Sequence, residues 1–573
     1  MPFHHISDWL PTTAKEVEAL GWDQPDVILF TGDAYVDHPS FGVPVIGRVL
    51  QAEGYKVAIV PQPNWRDDLR DFKKLGKPRL FFGVSAGNMD SMVNHYTANL
   101  RLRSDDAYTP GDRAGFRPDY AATRYAQILK RLFPDVPVVL GGIEASLRRL
   151  THYDYWSNTI KPSILIESGA DIVSYGLGER AIVDIAKALH NGFNMNLLRK
   201  LPQVAFVADA KYAERIAPQA IRLHSHEACA ADPVKFGEKF VQIETESNKW
   251  QARTLIEPVG ERFVVVNAPY PPQSTGELDR TYALPFTRLP HPRYKGKGAI
   301  PAYEMIRWSV NLHRGCFGGC SFCTISAHQG KFIASRSVQS ILSEVETLTA
   351  MEGFKGVLTD LGGPSANMYG LSGKDPQACR LCARASCLWP KPCPNLRRDH
   401  RPLIDLYRRV RRVKGVKQAF IGSGIRYDLF LDNPDQSYLR EVVTHHVGGR
   451  LKVAPEHTEA HVLGLMRKPD FGGYVRLQES FREICRQQGL NFQLIPYFIS
   501  SHPGCTQRDM AQLAEKTGRM HLHLEQVQDF TPTPMTLSSV MYATGLNPYT
   551  GEKLFVARGQ EEKKKQKSYF FKR

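Results

Sequence analysis

The segment from Asn311 to Cys323 reads NLHRGCFGGCSFC and spaces three cysteines as C-x3-C-x2-C, at Cys316, Cys320 and Cys323. It directly follows an apolar run that is typical of a β-strand. Three thiolates can hold three irons of a four-iron cubane and leave the fourth iron open to a small molecule. A zinc site or three unrelated buried cysteines are the alternatives, but zinc usually takes four ligands on paired C-x2-C knuckles. The spacing therefore predicts a 4Fe-4S cluster on these three cysteines.

Strand-like apolar runs alternate with helix-like runs on both sides of this loop, a pattern that predicts a β/α barrel, complete or partial, over residues 298–535. The predicted strands are Trp308–Asn311, Gly356–Asp360, Gln418–Ile421, Leu451–Val453 and Phe492–Ile499. The predicted helices are Ser340–Met351 and Leu403–Val413. Each candidate site motif follows one of these strands, and barrel enzymes place their active sites at carboxyl strand ends.

The amino-terminal part of the chain, residues 1–215, has a βαβ pattern that begins at Asp26. Short apolar runs separated by helix-compatible segments predict an α/β fold here, a doubly wound parallel domain. Glycines end two of its strands, where they either make tight turns or admit a ligand. These glycines are Gly141, Gly142, Gly176 and Gly178.

Two further regions have little regular pattern. Residues 216–297 are irregular and proline-dense, and we expect them to connect the two domains. Residues 536–573 form a carboxyl-terminal extension, and we expect the basic tail from Glu561 to Arg573 to be solvated and frayed.

A second cysteine group lies in an insert of the barrel, residues 376–400, which contains the run CRLCARASCLWPKPC. Its members are Cys379, Cys382, Cys387 and Cys393. Four thiolates so close together can bind either a zinc ion or an auxiliary iron–sulfur cluster, and the spacing favours neither. The insert is rich in proline and poor in apolar residues, so a metal would contribute much of its folding free energy. Isolated Cys229, Cys485 and Cys505 are typical of buried structural thiols.

The cysteine loop resembles that of the radical S-adenosylmethionine (SAM) superfamily. Nearly the whole chain resembles the YgiQ-type radical SAM proteins, including the four-cysteine insert and the run DFTPTPMTLSSVMYATGLNP at Asp529–Pro548. The resemblance implies that the open iron binds SAM, and that an electron from the cluster cleaves SAM to a 5′-deoxyadenosyl radical. That radical would abstract hydrogen from an unknown substrate, with electrons from a reductant such as flavodoxin or ferredoxin.

Phe322 and the glycines Gly362 and Gly363 are SAM-binding positions that the resemblance implies. Phe322 matches an aromatic residue that lies near the adenine in the superfamily. The two glycines match the Gly-Gly-Glu motif whose backbone contacts the SAM amino group, although Pro364 replaces the acidic residue.

The stretch Leu451–Pro469 resembles the fourth-strand region of methylthiotransferase-like radical SAM enzymes. This resemblance implies that Glu456 binds the ribose hydroxyls and that Arg467 binds the SAM carboxylate. A surface helix with ordinary charges, beginning after His457, is the alternative.

The amino-terminal domain resembles the cobalamin-binding domains that precede other radical SAM barrels. Its loop DHPSFG, Asp37–Gly42, lacks the D-x-H-x-x-G spacing of a cobalt ligand, so we do not predict cobalamin. Methylthiotransferases take a second cluster from an amino-terminal cysteine set, and residues 3–206 contain no cysteine.

The chain of 573 residues carries a formal charge of +16, with 74 basic and 58 acidic residues. Such an excess favours nucleic acid, anionic metabolites or solubility without specifying a partner, so RNA is one candidate. No run reaches the roughly 18 apolar residues of a membrane span, and the first residues lack a signal-sequence pattern. We therefore expect a cytoplasmic protein that does not associate with membranes.

Two hypotheses about function follow from these observations. The first is a radical SAM enzyme. The second is a zinc-dependent nucleic-acid-binding or interaction protein without radical chemistry. The basic helix Leu406–Lys417 and the net charge support this second hypothesis.

Overall fold

The computed structural model describes residues 5–192, 195–432, 436–522 and 526–570. The chain divides into two compact units. The first unit comprises Met1–Lys239, Gln251–Pro271 and Arg280–Arg307, and the second comprises Phe240–Trp250, Pro272–Asp279 and Trp308–Arg573. Residues 1–4 and 571–573 of the predicted domains lie outside the described residues.

A nine-stranded sheet forms the centre of the first unit. In sheet order its strands are Val57–Pro61, Val27–Thr31, Phe81–Ser85, Val138–Leu140, Ile172–Ser174, Val204–Ala208, Arg262–Val266, Leu255–Val259 and Ile221–Arg222. The first five strands in this order are parallel to one another. The chain crosses over from Val27–Thr31 to Val57–Pro61 on one side and then to Phe81–Ser85 on the other. The predicted doubly wound parallel arrangement is therefore confirmed.

Helices cover this sheet because its parallel strands are apolar along their whole length. Val27–Thr31, Val57–Pro61 and Phe81–Ser85 are buried at every residue. The helices up to residue 306 are Ala14–Ala19, Gly42–Ala52, Arg70–Lys73, Ser91–His95, Ala121–Leu132, Gly142–Leu147, Ile164–Ser168, Glu179–His190, Met195–Leu198, Ala210–Ile216, His226–Ala231, Pro233–Ser247, Thr275–Tyr282 and Pro301–Ile306. A short hairpin pairs His152–Asp154 with Thr159–Lys161.

The region expected to be a connector, residues 216–297, instead contributes three strands to the sheet. Arg262–Val266 pairs antiparallel with Val204–Ala208, and Leu255–Val259 pairs antiparallel with Arg262–Val266. The local sequence marked Arg262–Val266 as strand-like, but the partner of a strand is set by non-local contacts that its own residues do not encode.

The second unit contains strands that pair in parallel and alternate with helices. The parallel pairs are Ser309–Asn311 with Asp360–Gly362, Val357–Leu358 with Gln418–Ala419, Arg450–Glu456 with Gln493–Ser500, and Gln493–Ser500 with Gln526–Asp529. One short antiparallel pair joins His313–Arg314 to Ala334–Ser335. The helices are Ile325–Gln329, Val338–Thr349, Pro376–Arg380, Arg401–Arg411, Ser437–His445, Ala460–Met466, Phe471–Gln488, Gln507–Arg519, Leu537–Thr544 and Gln560–Ser568. This alternation agrees with the predicted partial β/α barrel.

The basic helix of the second unit, Arg401–Arg411, is part of the barrel's outer layer. It buries an apolar stripe formed by Leu403, Ile404, Leu406, Tyr407 and Val410. Arg408 and Arg411 on its other face both pair with Glu441, at 3.0 and 3.2 Å. The helix is therefore basic because its outer face carries arginines, while its inner face packs on the core.

The described part of the carboxyl-terminal tail, up to residue 570, is docked, which corrects the expectation that this part is frayed. The tail forms the helix Gln560–Ser568, in which Lys563 and Gln566 are 1% and 0% exposed. Gln566 donates to the carbonyl oxygen of Cys505 at 2.8 Å and accepts from the backbone of Ser501 at 2.7 Å. Burial lowers the pKa of Lys563 to about 8. The sequence did not indicate this burial, because a charged tail usually predicts exposure. A lysine can nevertheless be buried, since its long stem packs against apolar surface.

No helix among the described residues has both the length and the apolar character needed to cross a bilayer.

Candidate metal centre at the strand ends of the second unit

The first cysteine loop leaves the carboxyl end of the strand Ser309–Asn311. Gly315 has a φ of +87°, and a Cβ there would lie 2.2 Å from the carbonyl oxygen of Phe332. Gly319 has a φ of +61°, and a Cβ there would lie 2.2 Å from the carbonyl oxygen of Ala385. Both positions require glycine, so these residues set the path of the loop.

The three thiols of this loop, those of Cys316, Cys320 and Cys323, act on one another electrostatically. Burial, together with the nearby Cys320, raises the pKa of Cys316 to about 11. Burial and the other two thiols raise the pKa of Cys323 to about 12. Three adjacent half-buried thiolates need a strong positive charge to stay ionised, and bound iron provides one. The donor set therefore fits an iron cluster, which these three residues would hold.

Among the described residues, no three His, Cys, Asp or Glu side chains are close enough together to hold a single metal ion as they stand. A cubane cluster places each thiolate on a different iron, so its ligands are more widely separated than the ligands of one tetrahedral ion.

Arg426 brings a fixed positive charge to this loop, and the sequence analysis missed it. Its Nη1 donates to the Sγ of Cys320 at 3.1 Å, and its Nη2 and Nε pair with Asp428 at 2.5 and 3.0 Å. Burial alone would raise the pKa of Asp428, but Arg426 holds that pKa below its usual value. Hydrogen bonds to ligand sulfurs tune metal clusters. A polar run, GSGIRYD, close behind the strand Gln418–Ala419 was the signal available.

Glu456 and Lys468 lie near the cysteine loop, and the predicted contact of Glu456 with the SAM ribose stays a prediction. Glu456 ends the strand Arg450–Glu456 with a φ of +69° and is 8% exposed. Its Oε1 lies 3.6 Å from the Nζ of Lys468, and burial raises the pKa of Glu456. The charge of Lys468 also acts on Cys316, and that of Glu456 acts on Cys323. The two residues therefore belong to the surroundings of the cysteine loop.

Arg467 pairs with an acidic residue away from the cysteine loop. It caps the helix Ala460–Met466 in the left-handed conformation, with a φ of +57°. Its guanidinium pairs with both carboxylate oxygens of Glu244, at 2.7 and 2.9 Å, and the hydroxyl of Tyr549 also donates to Glu244. The left-handed turn separates the directions of Arg467 and Lys468, which the sequence spacing did not reveal.

Gly362 and Gly363 are closely approached by side chains of the protein itself. A Cβ on Gly362 would lie 1.7 Å from the Oγ of Ser423, and a Cβ on Gly363 would lie 2.6 Å from the Nε2 of His313. The Ser423 hydroxyl in turn donates to the carboxylate of Asp360 at 2.8 Å. These contacts account for both glycines, and the predicted SAM contact stays a prediction.

The carboxyl-terminal extension holds the cysteine loop from the other side. Ser538 on the helix Leu537–Thr544 donates from its backbone to the carbonyl oxygen of Ser321 at 2.9 Å and from its hydroxyl to the Ser321 hydroxyl at 2.8 Å. The Nε2 of His502 lies 2.7 Å from the same Ser538 hydroxyl. Phe322 packs edge-on against His502, with ring centroids 6.4 Å apart. These contacts between the extension and the loop were absent from our predictions.

The second cysteine group lies beside two hydrogen-bond donors of its own, the side chains of Lys331 and Asn395. The Nζ of Lys331 lies 3.7 Å from the Sγ of Cys382 and donates to the carbonyl oxygen of Arg384 at 2.8 Å. The Nδ2 of Asn395 lies 3.4 Å from the Sγ of Cys379. Cys379 and Cys387 are each acted on electrostatically by other thiols of the group. All four thiols are half-buried and are the donor type of a metal centre. As they stand, no three of them are close enough to hold one metal ion, so a bound metal would have to draw them together.

The insert packs directly on the first cysteine loop. The backbone of Cys387 donates to the carbonyl oxygen of Phe317 at 3.0 Å. The hydroxyl of Ser386 donates to the carbonyl oxygen of Gly318 at 2.7 Å. Phe317 is 3% exposed and lies in an apolar cluster. The other buried members of this Phe317 cluster are Met368, Leu371, Leu388, Leu396 and Leu429.

The strand ends of the first unit are filled by the protein's own side chains. Asp37 of the DHPSFG loop is buried and pairs with Arg48 at 2.5 Å, and His38 lies 3.0 Å from Arg288. Gly142 has a φ of +80°, and a Cβ there would lie 2.5 Å from the Oγ of Ser85. This close contact explains that glycine by packing alone.

Comparison with known proteins gives two family matches. A family model described as Radical SAM N-terminal matches residues 9–309. A domain of unknown function, DUF3362, matches residues 525–572. The first match extends through the strands at 255–266, in agreement with their place in the first unit.

Curated relatives match almost the whole chain. A UPF0313 protein of Bacteroides thetaiotaomicron is 57% identical over 590 residues, which cover 100% of this chain and 95% of the relative. The UPF0313 protein YgiQ of Escherichia coli K12 is 45% identical and covers 98% of this chain and 83% of its own.

Among solved structures, the radical SAM methyltransferase TsrM of Kitasatospora setae, with cobalamin and a 4Fe-4S cluster bound, matches with a TM-score of 0.49. The two chains are 13% identical, and the match covers 91% of this chain and 75% of TsrM. From its family match and its relatives, this chain belongs to the UPF0313 family of YgiQ-type radical SAM proteins.

Proposed function

We propose that this chain is an enzyme that binds a 4Fe-4S cluster and SAM and cleaves SAM reductively to start hydrogen abstraction from a substrate. The observation that carries the proposal is the convergence of three half-buried thiols with Arg426, Lys468 and Glu456 at neighbouring strand ends. When bound, the cluster would supply the electron that splits SAM into methionine and a 5′-deoxyadenosyl radical.

The residues around the thiols support this proposal through charge and shape. Cys316, Cys320 and Cys323 would hold the cluster, and Arg426 would stabilise the Cys320 thiolate through its hydrogen bond. Lys468 offers an ammonium for the SAM carboxylate, in place of Arg467, whose guanidinium is engaged by Glu244.

Two further residues of the second unit would bind the ribose and the adenine of SAM. Glu456 offers a carboxylate for the ribose hydroxyls, and Phe322 offers a ring face for the adenine. Both residues lie in the second unit, and Phe322 is held by its packing against His502. Because the loop and strand ends are largely buried, they would exclude water from the reacting atoms.

The second cysteine group would hold a second metal, either zinc or an auxiliary iron–sulfur cluster. Its four thiols lie in a segment whose only helix within the described residues is Pro376–Arg380. An insert with so little regular structure gains folding free energy from bound metal.

A direct test measures 5′-deoxyadenosine formed from SAM by anaerobically reconstituted, dithionite-reduced protein. We expect turnover by the wild type and none by Cys323→Ala. Cys485→Ala is the matched control, because Cys485 is buried in the helix Phe471–Gln488 and should leave turnover unchanged. Iron-loaded wild type that neither cleaves SAM nor changes its electron paramagnetic resonance (EPR) spectrum on SAM addition would rule the proposal out.

The alternative function, a zinc-dependent protein that binds nucleic acid or another partner, has one observation in its favour. Residues 374–417 carry 13 basic and 3 acidic side chains. Purified protein with zinc, without iron and with salt-sensitive RNA binding would support this alternative over the enzyme.

A further inference from the structure

Much of the positive charge of the chain lies in the four-cysteine insert and in the basic segment that directly follows it. Residues 374–417 contribute a net +10 of the chain's +16. Within the insert, Arg384 donates to the carbonyl oxygens of Trp389 and Lys391, contacts that do not neutralise its charge. A local excess of this size creates a strong positive field at the surface.

A basic pocket opens beside the insert and reaches one of its thiols. The pocket has a volume of about 670 Å³, and Cys393 forms part of its wall. Lys374, Arg398 and Arg401 line it together with Asp399, which pairs with Arg401 at 2.8 Å. The side chain of Arg401 is 81% exposed. Solvent and a docked partner can therefore approach the second cysteine group at this basic pocket.

A short path of covalent bonds and one hydrogen bond connects the two cysteine groups. Cys387 is one hydrogen bond from the carbonyl oxygen of Phe317, at 3.0 Å, and Phe317 is bonded to Cys316. Electron transfer through protein slows steeply with distance, so this contact favours exchange of electrons between metals held by the two groups.

The donors around the second cysteine group are suited to a redox cluster. Lys331 is 3% exposed, and its ammonium lies 3.7 Å from the Sγ of Cys382. Asn395 lies 3.4 Å from the Sγ of Cys379. Positive charge and hydrogen bonds at cluster sulfurs stabilise the reduced state, which adds negative charge.

We propose that the second cysteine group holds an iron–sulfur cluster through which electrons enter the protein, and that a small acidic one-electron carrier protein docks on the basic pocket. The inference rests on the proposed function, because the first cluster is the acceptor. In each transfer the carrier is oxidised by one electron, the second cluster accepts and releases it, and the first cluster is reduced. No bond forms or breaks in this relay. The charge of the pocket selects the partner and speeds its encounter.

The test compares two reductants on the full-length, reconstituted protein. The double variant Lys374→Glu with Arg401→Glu reverses the charge of the basic pocket. The double variant Arg508→Glu with Arg519→Glu makes the same net change on exposed positions of the helix Gln507–Arg519. The probe is reduced flavodoxin, an acidic one-electron carrier, and dithionite is the small reductant that needs no docking surface.

We expect the pocket variant to raise the KM for flavodoxin by about tenfold or more, because it removes electrostatic steering. The control variant should change this KM less than twofold. Both variants should match the wild type when dithionite drives formation of 5′-deoxyadenosine. The wild-type KM should rise with salt, and that of the pocket variant should be nearly independent of salt.

Metal content supplies the second readout. Two cubane clusters predict about eight irons per wild-type chain, and Cys382→Ser combined with Cys393→Ser should retain about four. Zinc in the second group, with about four irons in the wild type, would overturn the inference.

Other outcomes separate this inference from the proposed function. If dithionite yields no 5′-deoxyadenosine, the proposed function itself fails. If dithionite works and charge reversal leaves the flavodoxin KM unchanged, the docking surface is refuted. Charge reversal that weakens only RNA binding would identify the basic pocket as a nucleic-acid surface instead.

Discussion

The two cysteine groups of this chain are built in different ways. The first group lies on the loop that follows the strand Ser309–Asn311. Residues near other strands of the barrel surround it, namely Arg426, Glu456 and Lys468. The second group stands in a segment with one short helix, where Lys331 and carbonyl groups provide most polar contacts. The barrel would therefore shape the first centre before metal arrives, whereas the metal would shape much of the second.

Folding and metal binding would therefore be coupled more strongly at the second group than at the first. A preorganised group loses activity when a ligand is removed but keeps its fold. A metal-dependent group loses its local fold as well. The Phe317 cluster packs against cysteines of both groups, so substitutions can test how far each group folds and binds metal independently of the other.

Removal of one ligand should have the largest effect on activity. Cys320→Ala should lose about four irons per chain and reduce formation of 5′-deoxyadenosine to the background level, because one iron loses its thiolate. The barrel core lies elsewhere, so circular dichroism should change little. Iron analysis on the purified variant checks this, and an unchanged iron content would contradict the assignment of this ligand.

Phe317→Ala should disturb both groups at once. Phe317 is 3% exposed and packs between the first loop and the insert, and truncation of such a buried phenylalanine typically costs about 3–5 kcal/mol of stability. We expect a lower midpoint of denaturant unfolding and a loss of metal from both groups. Leu348→Ala, in the main barrel core, is the control, and it should lower stability while both groups keep their metal.

The charge at the first group is tested by Arg426. Arg426→Gln should remove the hydrogen bond to the Cys320 sulfur and leave Asp428 without its partner, at a cost of about 3 kcal/mol. Arg426→Lys keeps the charge without the planar fork and should restore part of the stability. Thermal unfolding and the cluster's reduction potential provide the readouts. A potential equal in wild type and Arg426→Gln would show that this guanidinium does not influence the cluster.

Ser538→Ala should have the smallest effect. It removes the hydroxyl that bonds Ser321 and faces His502, and one such bond contributes about 1 kcal/mol. We expect slightly lower stability and faster loss of iron to a chelator from the first group only. Equal chelation rates from both groups would mean that the extension does not protect the first loop. Ser539→Ala, which loses a bond within the same helix turn, serves as the control.

The sequence predicted those parts of the molecule that depend on local patterns. Apolar runs located the five predicted barrel strands, and the cysteine spacing located the loop of Cys316, Cys320 and Cys323. Glu456 was indicated by the resemblance of the stretch Leu451–Pro469 to the fourth-strand region of methylthiotransferase-like radical SAM enzymes. Each of these features is encoded within a few residues of itself.

The missed features depend on contacts between distant residues. Arg426 lies 106 positions from Cys320, and Ser538 lies 217 positions from Ser321. Arg467 and Lys468 are adjacent, and only the left-handed turn between them decides which faces the thiols. The strands Leu255–Val259 and Arg262–Val266 likewise needed their partners to be recognised as part of the sheet.

The clamp of Ser538 on Ser321 also orders events during biosynthesis. The ribosome finishes the cysteine loop 217 residues before it reaches Ser538, so the nascent chain presents its thiols without their cover. If the loop binds the proposed cluster, iron–sulfur assembly would have access to it while translation continues. The helix that carries Ser538 closes over the loop only afterwards, and a product of premature termination before Ser538 would leave its thiols uncovered and open to oxidants.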